Sequence, residues 1–367
     1  MKISVSSYSF ADYQKMTGCD YETICRAAKE MGYDGIEFTE LQPCTIATAK
    51  KLRACCEALN LPIVCYSVGA NFVRLFPNQT VKMLKKQVDI AAALGAPVMR
   101  HDVCYALAPG KSWQAAADKM APYIREVTEY AKTKGIRTCT ENHGFIFQEP
   151  ERVKYLIDKV DNENYRWLCD MGNFLCAGVD PLSSVEIAAP YTIHAHAKDF
   201  YRSSTPIKEG FRATDGYYLL GTVIGQGVVP VKDCIECLQE AGYDGYVSVE
   251  FEGQEDNISA LKIAHTYLKS ALCGEAIEEE AEEEELEEEI EDVIVDAEEE
   301  EDIQEAEISE DDAEEDIREA DVEEGSEDEE IAEVIPEEEP EEEIEEVSEE
   351  EPMEEEPSEK ETTEEDA

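Results

Sequence analysis

Four residues of the kinds that hold a divalent cation fall at the ends of four successive apolar stretches. They are Glu141 in Glu-Asn-His-Gly, Asp170 in Asp-Met-Gly-Asn, His196 in His-Ala-Lys-Asp and Glu250 in Val-Glu-Phe-Glu-Gly. Three carboxylates and one imidazole make an oxygen-rich shell that suits Mg2+ or Mn2+, and the imidazole also admits Co2+ or Zn2+. The stretch 191–200 sets small or apolar residues between His194, His196 and Lys198. That period of two is a strand with one polar face, which is costly to bury without partners. One acid at a strand end is most often a helix cap or an ion-pair partner. Four adjacent strand ends carrying ligand types point to one shared site.

Three anionic ligands outweigh the two charges of the ion, so cations should stand nearby. Lys198 and Arg202, two and six residues beyond His196, are placed for that. His101 and His143 are candidate substrate contacts. Glu37 reads as structural, and His194 as pointing into the interior below the ion.

The elements that must position these residues follow from periodicity. Strands are expected over 3–10, 36–40, 62–72, 97–103, 136–143, 166–170, 191–200 and 246–251. Helices are expected over 21–31, 45–59, 81–94, 112–134, 149–160, 181–189, 231–241 and 258–272. Eight strands alternating with eight helices predict a parallel (β/α)8 TIM barrel, whose usual length is about 250 residues and whose strand C-termini converge on one face. Gly-Tyr-Asp-Gly recurs at 32–35 and 242–245, each time before a strand bearing Glu. The longest connection, 201–229, is rich in Tyr and Gly and is expected to be a lid or substrate loop.

Composition divides the chain near Cys273. Residues 274–367 hold 55 of the 88 acids and only two cations, Arg318 and Lys360. Residues 1–273 therefore carry 33 acids and 29 bases, a net of −4. Self-repulsion, the absence of aromatics and the lack of a sustained heptad predict that 274–367 is a disordered acidic tail. The partner of such a tail is not legible, and the sequence leaves homo-oligomerisation open. The thirteen cysteines have irregular spacing and complete no zinc motif, so buried thiols in a reducing cytoplasm are expected. No apolar leader or membrane-spanning stretch is legible, which again points to a cytoplasmic protein without membrane contact.

Taken in order, several motifs resemble those of the xylose isomerase-like TIM barrels of the sugar phosphate isomerase/epimerase family. They are Gly-Tyr-Asp-Gly-Ile-Glu-Phe at 32–38, Glu-Asn-His-Gly at 141–144, Asp-Met-Gly-Asn at 170–173, His-Ala-Lys-Asp at 196–199, Gly-Gln-Gly at 225–227 and Val-Glu-Phe-Glu-Gly at 249–253. The resemblance covers about residues 1–272. It implies that Glu141, Asp170, His196 and Glu250 hold one divalent ion. It also implies an isomerase or epimerase acting on a sugar, sugar phosphate or related hydroxy-carbonyl compound. By likeness to ketose 3-epimerases, Glu141 and Glu250 would shuttle the proton through an enediolate, and Arg202 would bind substrate. Such chemistry has a physical basis, because a cation beside a carbonyl acidifies the neighbouring C–H.

Two departures stand out. Asn173 occupies a place where ketose 3-epimerases carry His, so it can hydrogen-bond substrate but not titrate. Phe147 replaces a second acid, which turns the expectation away from sugar 3-epimerisation in particular. A dehydratase of inositol-derived ketones would use the same acid-base logic. An apurinic-site endonuclease needs more histidines than five and a basic face for phosphates, and a domain at −4 with a polyanionic tail lacks that face, so nucleic acid is not an expected partner. A non-enzymatic, tail-driven binding protein would have no use for four ligand-type strand ends.

Overall fold

In the computed structural model, residues 1–73 and 76–273 are described. The expected acidic tail, 274–367, lies outside the described residues. Seven strands come first: β1 (Lys2–Ser6), β2 (Gly35–Thr39), β3 (Ile63–Val68), β4 (Val98–His101), β5 (Arg137–Glu141), β6 (Tyr165–Asp170) and β7 (Thr192–Ala197). Then β8 (Asp199–Ser203), β9 (Phe211–Arg212) and β10 (Tyr218–Thr222) form a separate antiparallel sheet before β11 (Tyr246–Val249). The barrel closes in the order β1-β11-β7-β6-β5-β4-β3-β2, with every pairing parallel. The chain is a TIM barrel.

The helices are α1 (Ala11–Thr17), α2 (Tyr21–Glu30), α3 (Ile46–Leu59), α4 (Pro77–Leu94), α5 (Trp113–Thr133), α6 (Pro150–Val160), α7 (Asn173–Cys176), α8 (Pro181–Ala188), α9 (Val231–Glu240) and α10 (Asn257–Cys273). Side chains of Asp20, Thr45, Ser112 and Asp180 accept from backbone amides three residues on and start α2, α3, α5 and α8. Each such cap stabilises its helix by about 1 kcal/mol. Between helices and barrel runs one large apolar core, with Trp167, Tyr33, Tyr66, Phe38 and Phe174 among its fully buried side chains. Among the described residues no helix is long and apolar enough to cross a membrane. All thirteen cysteines are free thiols.

Three expectations need correction. The first strand stops at Ser6, because the Ser6 hydroxyl accepts from the Tyr8 amide and starts a 3-10 turn over Ser7–Phe10 that leads into α1, a helix the periodicity did not signal. The expected strand over 191–200 is two strands in different sheets, with β8 leaving the barrel after Lys198. The connection 201–229 is a three-stranded flap rather than a loop. Asp199 anchors its far end by accepting from the amides of Phe200, Gly225, Gly227 and Val229 at 2.9–3.0 Å.

Candidate active site

The site is assembled at the C-terminal ends of β5, β6, β7 and β11. One ligand atom each from Glu141, Asp170, His196 and Glu250 lies within 4.8 Å of all the others. Their placement follows from local structure. Asn142, next to Glu141, donates to the Asp170 carbonyl at 2.8 Å and accepts from the Asp170 amide and the indole of Trp167. Its side chain thereby ties the end of β5 to the end of β6. Asp170 Oδ1 accepts from the amides of Gly172 and Asn173, both at 2.8 Å, and so turns Oδ2 toward the cluster. Those two amides begin α7, which Phe174 seats edge-on against Trp167. Burying one such phenyl ring stabilises the seat by about 1.5–3 kcal/mol. Gly172 is required here, because a Cβ would lie 2.7 Å from the Lys198 carbonyl oxygen.

His196 is held from below. Its Nε2 lies 2.9 Å from Glu37 Oε2, which also meets His194 Nε2 at 2.8 Å, while Ser67 donates to Glu37 Oε1 at 2.5 Å. Burial alone would raise the Glu37 carboxyl, but the two imidazoles outweigh it and hold the group well below the usual range. An ionised Glu37 fixes the proton on His196 Nε2 and leaves Nδ1 facing the cluster, an arrangement common behind metal-bound histidines. His196 Nδ1 and Asp170 Oδ2 are both buried without a hydrogen-bond partner. Nδ1 lies 3.4 Å from Glu250 Oε2, 3.7 Å from Asp170 Oδ2 and 3.9 Å from Glu141 Oε1. Orphaned buried acceptors converging on one point are costly unless a cation satisfies them. The residues present fit a divalent ion.

Each proton-transfer candidate has its own cation. Glu141 Oε2 pairs with Arg100 at 2.7 Å, and Oε1 accepts from the Asn173 side-chain Nδ2 at 2.8 Å. Burial pushes the Glu141 carboxyl up; Arg100 opposes that, and the nearby Glu250 adds to it. Glu250 Oε2 pairs with Lys198 at 2.7 Å. Burial would raise Glu250 as well, but Lys198 and then His196 outweigh it and hold it well below the usual range. The Lys198 ammonium also lies 3.3 Å from Asn173 Oδ1 and 3.3 Å from Glu252 Oε2. Asn173 therefore bridges the two halves of the site. Beside Glu252 opens a cavity of about 370 Å³ lined by Tyr8, Phe200, Glu209, Phe211 and Phe251 among others. Glu252, then burial, raises the Tyr8 phenol to about 12.

The remaining candidates divide. The His143 side chain is two-fifths exposed and its Nδ1 meets Asp102 Oδ1 at 2.9 Å, on the Arg100 side of the cluster. His101 is not brought to the cluster. Strand alternation sets it opposite Arg100, where it is fully buried, stacks on Tyr165, meets Phe72 edge-on and uses Nδ1 on the Asp102 carbonyl. Arg202 is committed to the flap, pairing with Asp215 at 2.7 Å and lying 3.8 Å over the Tyr217 ring. Arg100 is the cation that sequence reasoning missed. Its signal was a base in strand register one element before the first ligand, and no charge pattern nearby distinguished it from a surface arginine.

The family model described as xylose isomerase-like TIM barrel matches residues 25–271. The chain belongs to this family. Fructoselysine 3-epimerase from Shigella flexneri is 24% identical over 257 residues, covering 62% of this chain and 84% of that enzyme. Inosose dehydratase from Lacticaseibacillus casei is 25% identical over 142 residues, 37% of this chain. The chain spans about half the length, 47%, of some curated relatives it matches, that dehydratase among them. Among solved structures, the zinc-bound IOLI protein superposes with a TM-score of 0.62 at 15% identity, covering 75% of this chain and 99% of that one. Members of this family thus include both an epimerase and a dehydratase.

Proposed function

We propose that this chain is a divalent-metal-dependent isomerase or epimerase of a sugar, sugar phosphate or related hydroxy-carbonyl compound. The supporting observation is that two carboxylates, the buried Glu141 and the partly buried Glu250, converge with Asp170 and His196 within 4.8 Å, each paired to a different cation. Glu141, Asp170, His196 and Glu250 would hold the ion, for which Mn2+, Co2+, Mg2+ or Zn2+ each suit the donor set. Bound there, the ion would polarise the substrate carbonyl and stabilise negative charge on its oxygen.

The chain's own residues then account for the proton. One carboxylate removes the hydrogen next to the carbonyl, giving an enediolate, and the two carboxylates can return it on either face or at the adjacent carbon. Arg100 cannot be deprotonated and so keeps Glu141 oriented without trading protons with it. Lys198 and Asn173 offer donors to substrate hydroxyls, His143 offers a ring nitrogen at the mouth, and the cavity beside Glu252 has room for the rest of a small carbohydrate. Arg202 would reach substrate only after leaving Asp215. Glu141→Gln and Glu250→Gln should each lower turnover at least ~10²-fold, the scale of general acid-base catalysis, while keeping near one equivalent of metal. Full activity in both variants would remove the proposal.

One observation favours a second reading, a lyase. Lys198 is a buried ammonium beside Glu250, suited to hold a departing hydroxyl after the same proton abstraction, and inosose dehydratase is among the relatives. Water loss from an inositol-derived ketone would distinguish it.

A further inference from the structure

Arg100 reaches further than Glu141. The same guanidinium nitrogen that meets Glu141 Oε2 at 2.7 Å lies 2.8 Å from Asp102 Oδ1. Asp102 is buried, yet it carries two more contacts: His143 Nδ1 at 2.9 Å on Oδ1, and the Tyr105 hydroxyl on Oδ2. Both of those side chains reach solvent, His143 at 40% and Tyr105 at 39% exposed, with their rings edge-on at 6.2 Å. A continuous polar chain therefore runs from one of the two carboxylates, through two buried charges, to two side chains at the mouth. Glu250 leads outward by a different route, through Lys198 to Glu252 at 3.3 Å.

We propose that Arg100 and Asp102 are positioning residues that couple the orientation of the Glu141 carboxylate to His143 and Tyr105, so that a substrate hydroxyl bound at the mouth is felt in the proton-transfer step. This rests on the isomerase or epimerase reading above. Glu141 has one oxygen fixed by Asn173 and the other by Arg100, so its carboxylate plane turns only if one of these moves. Arg100 in turn is aimed by Asp102, and Asp102 is aimed by the two exposed donors. A misplacement on the ångström scale at a reacting group costs about 10²-fold in rate. A contact two links from the chemistry can therefore control turnover without touching the reacting atoms.

The test uses the full-length protein. In its metal-free form, the ring resonances of His143 should move in Arg100→Lys, which does not touch His143, and stay put in Lys198→Ala. In the metal-loaded form, Arg100→Lys and Asp102→Asn should each lower kcat about 10- to 100-fold, with metal content near one equivalent and a cooperative unfolding transition retained. His143→Gln should lower kcat severalfold as well as raise KM, because it removes a donor that aims Asp102. The double variant Asp102→Asn with His143→Gln should have a kcat no lower than Asp102→Asn alone, because both break one chain. Should the buried variants fail to fold, Tyr105→Phe removes only the hydroxyl that donates to Asp102 Oδ2 and should still lower kcat/KM severalfold. Unmoved His143 resonances, or losses that multiply as for independent sites, would overturn the coupling. A wild-type protein that moves no proton on any carbonyl compound would instead remove the underlying reading, and the resonance result would stand apart from it.

Discussion

At the scale of single residues, the decisive feature is a histidine with one nitrogen spoken for. Glu37 holds His196 Nε2, so Nδ1 meets three carboxylates. Burial disfavours the imidazolium, but Glu37 and then Glu250 outweigh it and raise the group well above its ordinary value. Below that raised value a proton fills the position an ion would take. Metal uptake should therefore weaken as pH falls and strengthen as pH rises, with about one proton released per ion near neutral pH. Calorimetry in buffers of different ionisation enthalpy measures that release; zero protons across pH 6–8 would contradict the assignment of His196 as a ligand. The convergence of Glu141, Asp170, His196 and Glu250 was legible in sequence because ligand types recurred at strand ends. The roles of Glu37 and Arg100 were not, since each depends on which non-neighbouring side chain it meets, and single-residue spacing carries no such information. The same blindness made His101 look available, when strand alternation turns it away from the cluster.

At the scale of elements, the barrel strands were legible because parallel strands buried on both faces stand out as apolar runs between helices. Their ends were not. β1 stops at Ser6 because a side-chain hydroxyl competes for a backbone amide, and β7 ends at Ala197 because β8 peels into the flap. The flap itself was hidden in a Gly- and Tyr-rich stretch whose strands are too short to show alternation. Element geometry also makes a prediction at the junction of β6 and α7. Gly172→Ala would press a methyl group on the Lys198 carbonyl and Cβ at 2.7 and 3.0 Å, moving the end of β7 away from Asp170. Overpacking of this kind costs about 1–3 kcal/mol. The variant should melt several degrees lower and bind metal at least tenfold more weakly. Normal metal affinity would mean the ligand spacing tolerates that shift.

At the scale of the whole molecule, the net charge of −57 describes residues 274–367 far more than the barrel. The described part of helix α10 reaches Cys273, next to the change in composition. We expect a protein shortened to residues 1–273 to unfold in one cooperative transition and to turn over as fast as the full chain; a broad or absent transition would show that the acidic segment is needed for folding. Family membership narrows the chemistry but not the substrate, so isotope is the better readout of proton transfer than any one product. The metal-loaded protein should be incubated in D2O with ketoses, their phosphates, hydroxypyruvate-like acids and inositol-derived ketones. Deuterium should enter at one carbon next to the carbonyl of a single compound or its isomer, and that label should be lost in Glu141→Gln and Glu250→Gln. If every carbonyl compound stays unlabelled while abasic-site DNA is cleaved, the proposed proton transfer is wrong.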